Sequence, residues 1–441
     1  MNSLPGRLWH RCSALLPRGH LTRAIATLAS GTALAQALTV LAAPVLTRLY
    51  TPEDFGALAV FTTFFGVIIA VACLRYDASI PVADDESVAA NLLAVAAGVA
   101  LVTAGVAAVV IAVLGGEALA RSVNTPALAS LLWLLPPGVL LAGLYNALSF
   151  WAVRRRSFGR IAHTRIAQGC GQVVIQIALG IFALGPVGLV LGQIAGQSAG
   201  ISTFARALWR EDRDALRLIA FRRMMRAAHR YRRFPLLASP AAVLNGISRL
   251  SPPLLVALLY GPAVAGWFAL AQRVLITPMR LVGQAVAQVY LGQAPALARE
   301  DPAELHRLFT RLTARLFWLG LGPTALILIA GPWLAVVVFG SPWADAGRIM
   351  QALTLMSFAQ FVVSPISQTL IVFERQDIEI AWDSARVAGI MLVFLSAWAL
   401  QWSWLVTSIM LSAVMAAAYA VLYVVARRLI TKRIAIGTQL V

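Results

Sequence analysis

The chain has 441 residues, of which 60% are hydrophobic and only 12% are charged, and its formal net charge at pH 7 is +18. A soluble domain of this length needs a charged, hydrated surface, which so few charged residues cannot supply. The composition therefore excludes an ordinary soluble protein and indicates a chain embedded in lipid.

Apolar runs follow one another along the chain, and most of them are long enough to cross about 30 Å of hydrocarbon. The first run follows four arginines, but it is too long for a signal peptide and has no evident cleavage site, so we expect it to remain as a transmembrane helix. The sequence predicts an all-α polytopic membrane protein of about twelve spans, at residues 25–47, 55–74, 88–114, 126–151, 166–184, 186–205, 236–259, 263–293, 316–338, 346–372, 388–401 and 402–426.

Lysine and arginine are distributed unevenly between the two sides of these spans. Thirty of the 36 fall in the N-terminal arm, the C-terminal tail and the loops on the same side, whereas the opposite loops hold only Arg48, Arg121 and Arg348. By the positive-inside rule, we expect the chain to span an inner membrane with both of its termini in the cytoplasm. The basic charge is therefore interpreted as a topology signal and not as a nucleic-acid surface.

The strongest polar interruption lies near the middle of the chain, where ten arginines fall between residues 206 and 234. It divides the chain into a predicted N-terminal six-helix lobe at 1–205, a basic cytoplasmic linker at 206–235 and a C-terminal six-helix lobe at 236–441. We interpret the linker as a solvated segment that maintains topology. A segment of this kind can also lie on anionic headgroups.

The two halves share a short pattern, L-Y-x-P-x-x-x-G. It occurs at residues 49–56 after the first span and at residues 259–266 after the seventh, a separation of 210 residues. Proline sets a turn and glycine permits close helix approach, so the pattern suits a helical-hairpin corner used twice. Six spans in each half leave both halves facing the same way, which predicts a parallel pseudo-repeat with a central cavity between the lobes.

Acidic residues and histidines are absent from the middle of every predicted span. A carboxylate cage for a coupling ion, a catalytic acid–base pair and a histidine–metal site therefore lack their usual residues. The three cysteines, Cys12, Cys73 and Cys170, are isolated and form no metal or disulfide pattern. We predict no catalytic residue, no metal and no cofactor.

Three arginines do lie within predicted spans. Arg249 is in the seventh, and Arg273 and Arg280 are in the eighth, where their seven-residue spacing turns both to one helix face. A mid-span arginine costs roughly 2.5–3.5 kcal/mol on insertion scales. With no acid at that depth, these side chains should face water or an anionic guest, and guanidinium suits phosphate.

The predicted substrate-binding set adds three polar neighbours to these arginines. Asn245 lies one turn before Arg249, Gln284 lies one turn beyond Arg280, and Gln36 is a polar residue in the first span. The alternative interpretation is that the arginines bind backbone carbonyls at helix kinks or extend to the membrane interface. Gln36 has its own alternative, hydrogen bonding between helices.

Residues 30–56 closely resemble the first hairpin of bacterial polysaccharide flippases, the O-antigen and exopolysaccharide exporters of the multidrug/oligosaccharidyl-lipid/polysaccharide superfamily. The similarity continues over most of residues 27–390, while spans three, eleven and twelve carry little diagnostic sequence. The matching segments are 75–77, 151–165, 234–235, 271–275 with Pro278, 339–340 with Trp343, 346–347, 364–367 and 374–376.

The resemblance implies twelve helices in two lobes and a cavity lined by cationic residues. It also implies an undecaprenyl-diphosphate-linked oligosaccharide that is moved from the cytoplasmic to the periplasmic leaflet. Expected partners are this lipid-linked oligosaccharide, membrane lipids, and the polymerase and glycosyltransferases of the same polymer. Transport could be coupled to the membrane potential or to an ion whose site the sequence does not locate.

Three alternative functions remain open. A drug/cation antiporter of the same superfamily should carry a deep acidic residue. A membrane-embedded polymerase or ligase should carry a large periplasmic loop with polar catalytic residues, whereas the outside loops here are short. A structural scaffold for an export complex is the third, and nothing in the sequence excludes it.

Overall fold

The computed structural model describes residues 20–438, with side chains described for residues 30–246 and 251–434. Within residues 20–438, every regular element is helical, and twelve long helices follow the order of the predicted spans. They are α1 (His20–Leu41, resuming as Ala43–Leu49), α2 (Pro52–Ala70), α3 (Glu86–Leu114), α4 (Leu135–Arg154), α5 (Phe158–Ile181), α6 (Pro186–Ser198), α7 (Ser239–Tyr260), α8 (Pro262–Glu300), α9 (Pro302–Phe339), α10 (Ala344–Val363), α11 (Gln376–Ala399) and α12 (Trp404–Thr438). The predicted all-α, twelve-helix architecture is confirmed.

Short helical turns fill the connections between the long helices. The short α-helices are Tyr76–Ser79, Gly116–Ser122, Leu128–Leu131, Ile201–Glu211, Arg213–Arg217, Phe221–Arg230 and Thr369–Val372. The 3-10 turns are Ile80–Val82, Leu132–Leu134, Ser341–Trp343 and Ile366–Gln368, and a π-helical turn, Phe234–Ala238, precedes α7.

Eight of the described helical segments are each long and apolar enough to cross a membrane, and a ninth is the pair Phe234–Gly246 and Ser251–Tyr260, bent by 46°. The other three long helices fall short for reasons visible in their residues. Helix α5 carries a row of glutamines, α6 has only 13 residues, and α11 begins with two acids in its first turn.

The two helices α8 and α9 differ most from their predicted spans. Helix α8 has 39 residues and α9 has 38, and a single residue, Asp301, separates them. At 1.5 Å per residue, α8 is about 58 Å long, roughly twice the hydrocarbon thickness. The polar region that the sequence predicts as a loop is therefore helical, because its polar residues still have good helix propensity outside the membrane.

Small residues bring the helices of each half into close contact. In the N-terminal half, a Cβ added to Gly169 on α5 would lie 2.8 Å from the Cα of Ala35 on α1. In the C-terminal half, a Cβ added to Gly347 on α10 would lie 2.6 Å from the carbonyl oxygen of Gly331 on α9. Lipid supplies no hydrophobic drive between helices, so such close packing holds each half together.

Helix α2 packs mainly against α8 and α7 of the other half and makes smaller contacts with α4 and α6 of its own half. Phe61 and Phe65 of α2 are buried in the main core, and Phe65 lies against Gly138 on α4. The two halves of the chain are therefore joined mainly along α2.

Candidate functional site between the two halves

The two L-Y-x-P-x-x-x-G corners meet each other where α2 and α8 begin. A Cβ added to Gly56 would collide with the carbonyl oxygen of Pro262, and a Cβ added to Gly266 would collide with the carbonyl oxygen of Pro52. The contact is reciprocal, as expected when two equivalent surfaces meet about a twofold axis. This geometry agrees with the duplication predicted from the sequence.

Local sequence sets both corners. Each proline occupies the first turn of its helix, where its missing N–H costs nothing. Thr51 caps α2 through reciprocal hydrogen bonds with Asp54 of 3.3 Å and 2.9 Å, whereas Gly261 adopts φ of +84° before α8. The motif thus begins both helices with a tight turn. A side chain caps this turn at α2, and a glycine with positive φ forms it at α8.

Each corner tyrosine anchors its corner to its own half. The Tyr50 hydroxyl donates to the carbonyl oxygen of Gln176 on α5, at 2.6 Å. The Tyr260 hydroxyl lies 3.0 Å from the carbonyl oxygen of Trp402 and 2.6 Å from the Thr407 hydroxyl, at the start of α12. The corners are therefore rigid parts of the two halves, and the contact between them reports how the halves are arranged.

An aromatic contact seals the same end of the interface. Trp343 is fully buried, its indole N–H donates to the carbonyl oxygen of Thr47 at 3.0 Å, and its ring meets Phe55 edge-on at 5.0 Å. In the sequence, Trp343 is distinguished only by the family resemblance. Its role in closing this end was not visible, because the partners are 296 residues apart in the sequence.

The opposite end of the same helix face opens. Gly266, Arg273 and Arg280 are spaced by seven residues and lie within about 40° of one another around α8. Their exposure rises in that order, from buried through half-buried to exposed, and Gln284 beyond them is exposed too. This face of α8 is therefore closely packed at the hairpin corner and exposed toward its other end, an arrangement that we call the wedge. We name its exposed part, which carries Arg273, Arg280 and Gln284, the vestibule.

Arg273 lies at the apex of the vestibule and bridges the two halves. Its Nη2 donates to the carbonyl oxygen of Thr39 on α1, at 2.7 Å. This carbonyl precedes the break in α1 at Ala42, where Pro44 removes an N–H from the helical ladder. The carbonyl-binding interpretation thus accounts for one of the five guanidinium N–H groups.

The six predicted residues fall into three groups in the structure. Arg273, Arg280 and Gln284 share the vestibule face of α8, and Gln36 lies on α1 within one turn of the Thr39 carbonyl, half-buried. Asn245 is exposed on α7. The side chain of Arg249, also on α7, lies outside the described residues.

Arg273 and Arg280 lie at different positions along α8. Counted from Pro262, Arg273 is about 16 Å along α8 and Arg280 is about 27 Å along it. The first is therefore close to mid-membrane and the second is close to the boundary that we expect to be cytoplasmic. The two arginines are therefore about 10 Å apart along α8 and do not form a single pair at one depth.

Two polar features escaped sequence reasoning. Gln168, Gln172 and Gln176 repeat every four residues on α5, and Gly196 and Gly192 of α6 pack against Gln172 and Gln176. The side-chain amide of Gln172 donates to Gln193 at 2.8 Å, and that of Gln176 donates to the carbonyl oxygen of Leu189 at 3.0 Å. The i, i+4, i+8 spacing opposite G-x-x-x-G-x-x-x-G is a signal that could have identified this packing.

The second is Asp77, which follows α2 in a short helix. Its side chain is only 5% exposed, and its Oδ1 has no hydrogen-bond partner among the described residues. Burial raises the pKa of this carboxyl, although Arg75 acts in the opposite direction. Because Asp77 lies in a predicted loop, nothing in the sequence indicated that its side chain is buried.

The described side chains include no group of three or more His, Cys, Asp or Glu residues arranged to hold a metal ion. Carboxylates form ion pairs at helix ends, for example Arg348 with Asp345 at 2.8 Å and Arg311 with Glu304 at 2.8 Å. The arrangement between the halves is thus a cationic, hydrogen-bonding wedge, suited to holding an anion.

Comparison with known proteins identifies the family to which this chain belongs. Residues 45–348 match the model of a family described as polysaccharide biosynthesis protein. The chain belongs to this polysaccharide biosynthesis family. The match includes both hairpin corners, Arg273 and Arg280, so the vestibule lies within the part of the chain that defines the family. A comparison with curated protein sequences gives no match.

Solved structures show the fold to which this family member is similar. The lipid II flippase MurJ in an inward closed conformation has a TM-score of 0.69 at 13% identity, covering 90% of this chain and 86% of that one. A multidrug resistance MATE family transporter of the MOP superfamily has a TM-score of 0.67 in its inward-facing conformation, at 16% identity, with 90% and 95% covered. In an outward-facing conformation of such a transporter the TM-score is 0.53, at 15% identity, with 94% and 97% covered.

The polysaccharide biosynthesis family member is thus a multi-pass membrane protein with the fold of transporters and of a lipid flippase. The family resemblance stated from the sequence is confirmed by this match.

Proposed function

We propose that this protein is a flippase that moves an undecaprenyl-diphosphate-linked oligosaccharide from the cytoplasmic to the periplasmic leaflet for surface polysaccharide synthesis. The halves would alternate between the wedge seen here and one that opens at the hairpin corners. The observation that supports this proposal most directly is the position of Arg273 and Arg280 on the vestibule face of α8.

The positions of these arginines suit a diphosphate headgroup entering from one leaflet. Arg280 is exposed near the boundary of the inner leaflet, where a lipid-linked headgroup first meets the vestibule. Arg273 lies about 10 Å deeper along the helix, at the apex. Each guanidinium can donate two parallel hydrogen bonds to phosphate oxygens, so the diphosphate can pass from one to the other.

The membrane potential favours the proposed direction. An inside-negative potential drives each negative charge outward by about 2.3 kcal/mol per 100 mV. A diphosphate therefore gains free energy from the field when it moves to the periplasmic leaflet. We propose no coupling-ion site and no cofactor.

A transport assay in proteoliposomes tests the proposal directly. A fluorescent undecaprenyl-diphosphate oligosaccharide is placed in both leaflets, and a membrane-impermeant quencher reports how fast the protected pool reaches the outer leaflet. We expect purified protein to accelerate this exchange severalfold over protein-free vesicles, and Arg280→Gln to abolish the acceleration. Arg348→Gln is the matched control, because Arg348 is exposed and pairs with Asp345 away from the vestibule.

Assays in the same vesicles distinguish the proposed function from the alternatives. Export of an organic cation without lipid exchange would identify a drug/cation antiporter, and growth of the oligosaccharide would identify a polymerase or ligase. Exchange equal to that of protein-free vesicles would overturn the proposal. Undecaprenyl monophosphate as the cargo shows whether the second phosphate is needed.

We further propose that the protein lies in the bacterial inner membrane with both termini in the cytoplasm, beside the glycosyltransferases and polymerase that make and use its substrate. The uneven distribution of arginine supports this orientation. Reporter fusions that are active only in the periplasm should be inactive at both ends of the chain. Activity at either end would reverse the orientation and with it the direction of transport.

A further inference from the structure

The segment between α6 and α7 is folded against the N-terminal half. It contains the helices Ile201–Glu211, Arg213–Arg217 and Phe221–Arg230, and we call residues 201–237 the basic amphipathic segment. The interpretation of this region as a solvated linker is therefore incomplete. Its position relative to the membrane follows from its contacts.

The first helix of this segment is fixed at the ends of α4 and α5. The buried ring of Phe204 lies 5.6 Å from the ring of Tyr145. At the C-terminal end of the helix, Asp212 accepts a hydrogen bond from the indole N–H of Trp151 at 2.8 Å, and Glu211 accepts one from Arg160 at 2.7 Å. Because Trp151 and Arg160 flank the turn between α4 and α5, this helix lies at the membrane boundary and not beyond it.

The second main helix is fixed at the start of α3. The side-chain amide of Asn91 donates to the carbonyl oxygen of Leu218 at 3.1 Å, and its oxygen accepts from the backbone N–H of Ala220 at 3.1 Å. Asn91 is already the sixth residue of α3 and is buried. Phe221 therefore begins its helix at the depth where the apolar part of α3 begins.

Large apolar side chains on the outward face of this segment are exposed at that depth. Trp209 is 62% exposed and Phe221 is 72% exposed, and Met225 lies one turn beyond Phe221 on the same face. Water would solvate these side chains poorly, whereas the headgroup boundary of a bilayer accommodates them.

Exposed arginines surround these apolar side chains. The guanidinium of Arg213 lies 5.3 Å from the centre of the Trp209 ring. The acids Glu211 and Asp212 are engaged with the N-terminal half, and the exposed Asp214 pairs with Arg217 at 3.1 Å. Further exposed arginines are Arg206, Arg210, Arg222, Arg226, Arg232 and Arg233. The outward face is thus strongly cationic.

We propose that the outward face of the basic amphipathic segment is a docking surface for anionic phospholipids of the cytoplasmic leaflet. Trp209, Phe221 and Met225 insert at the headgroup boundary, and the surrounding arginines bind lipid phosphates. This face lies near the start of α3 and the turn between α4 and α5, exposes large apolar side chains and carries positive charge. An anionic lipid surface matches these three properties. This surface is separate from the vestibule and does not depend on the transported substrate.

The test uses the full-length protein in nanodiscs of phosphatidylcholine with a rising fraction of phosphatidylglycerol. A fluorophore is attached at Met225→Cys, with Cys12 and Cys170 changed to serine, while the buried Cys73 is kept. Phosphatidylglycerol should shift the emission to shorter wavelength. Lipids carrying a shallow spin label should quench it more strongly than aqueous iodide does.

Removal of one arginine should weaken the anionic-lipid dependence. Arg222→Gln is expected to raise the phosphatidylglycerol fraction at half-maximal shift about fivefold, given roughly 1 kcal/mol per arginine near a membrane surface. Arg311→Gln is the matched control, since Arg311 is exposed but pairs with Glu304 on α9, and it should leave the titration unchanged. High salt should reduce the shift, because exposed charges are screened.

Three outcomes would overturn the proposal. The first is quenching by iodide but not by spin-labelled lipid, which would show that the face lies in water. The second is an emission shift that does not depend on phosphatidylglycerol. The third is displacement by millimolar inorganic pyrophosphate, which would show a phosphate-binding site for soluble ligands and not a lipid surface.

Discussion

Arg273 on α8 donates a hydrogen bond to the carbonyl oxygen of Thr39 on α1, and this 2.7 Å contact crosses from one half of the chain to the other. It lies where the closed part of the interface ends and the vestibule begins. A single side chain thus touches both halves at the point where an anionic substrate would come to rest.

Arg273→Ala should abolish surface polysaccharide while the amount of protein in the membrane is maintained. Removing a mid-span arginine relieves an insertion cost of roughly 2.5–3.5 kcal/mol, so the variant should insert at least as well. Arg273→Lys should retain little output if bidentate phosphate contacts dominate, since an ammonium cannot donate two parallel bonds. The measurement is polymer at the cell surface beside immunoblots of the membrane fraction, and normal output from Arg273→Ala would remove the proposed role.

Arg280→Ala should also abolish surface polysaccharide with the protein level intact, and it should weaken substrate binding more than it changes the arrangement of the halves. Arg280 is exposed in the vestibule, whereas the hydrogen bond to Thr39 in the other half comes from Arg273. Binding of a fluorescent undecaprenyl diphosphate to the purified protein measures the effect. Arg280→Ala that binds like the parent protein would restrict the site to Arg273.

Gly56→Val should separate the two hairpin corners. The added side chain would overlap the backbone of Pro262, which cannot move without moving the start of α8. The halves should then shift toward opening at this end, and a cysteine at Thr47, buried in the parent protein, should react faster with a membrane-impermeant maleimide. Gly105→Val is the control, because a Cβ at Gly105 meets no atom within 4 Å, and equal reactivity of the two variants would contradict the role of the corners.

Trp343→Phe should destabilise the closed end of the interface less than Gly56→Val does. The substitution keeps the aromatic contact with Phe55 but removes the N–H that satisfies the buried carbonyl of Thr47. The loss of about 1 kcal/mol expected for such a hydrogen bond corresponds to roughly a fivefold change in the ratio of closed to open protein. Single-molecule distance measurements across the corners give this ratio, and an unchanged ratio would show that the hydrogen bond has no part in closing.

Asp77→Asn should stabilise the protein at neutral pH and flatten its pH dependence. Burial raises the pKa of Asp77 above its ordinary value of 3.8, so the folded protein holds more protons than the unfolded chain between these two values. Stability due to this group is therefore greatest below the ordinary value and is lost as pH rises through the raised pKa. Thermal unfolding in detergent at pH 4.5 and pH 7.5 tests this, and a lower unfolding temperature for Asp77→Asn at pH 7.5 would show that the carboxylate is needed as a charge.

Sequence patterns predicted the order of the helices because the bilayer imposes the same local requirement on each of them. Their ends were less predictable at α8 and α9, where the helices continue beyond the apolar runs into water. Hydropathy marks where lipid begins and ends, whereas helix ends depend on propensity and on caps such as Asp301.

The candidate site was predictable in part. The seven-residue spacing placed Arg273 and Arg280 on one face, and the structure shows that this face becomes more exposed from Gly266 to Arg280. The Thr39 carbonyl, the Trp343 seal and the buried Asp77 could not be foreseen, because each depends on residues that meet only after the halves pack.

By itself the sequence determined that the chain is a helical membrane protein, which side its arginines favour, and that cations occur within spans without nearby acids. These properties follow from the free energy of single segments in lipid and need no knowledge of neighbours. Only the tertiary structure decided that Gly56 faces Pro262, that the interface closes at one end, and that the basic amphipathic segment folds against the N-terminal half. Those outcomes depend on close packing and hydrogen bonds between residues far apart in the chain, which no local pattern encodes.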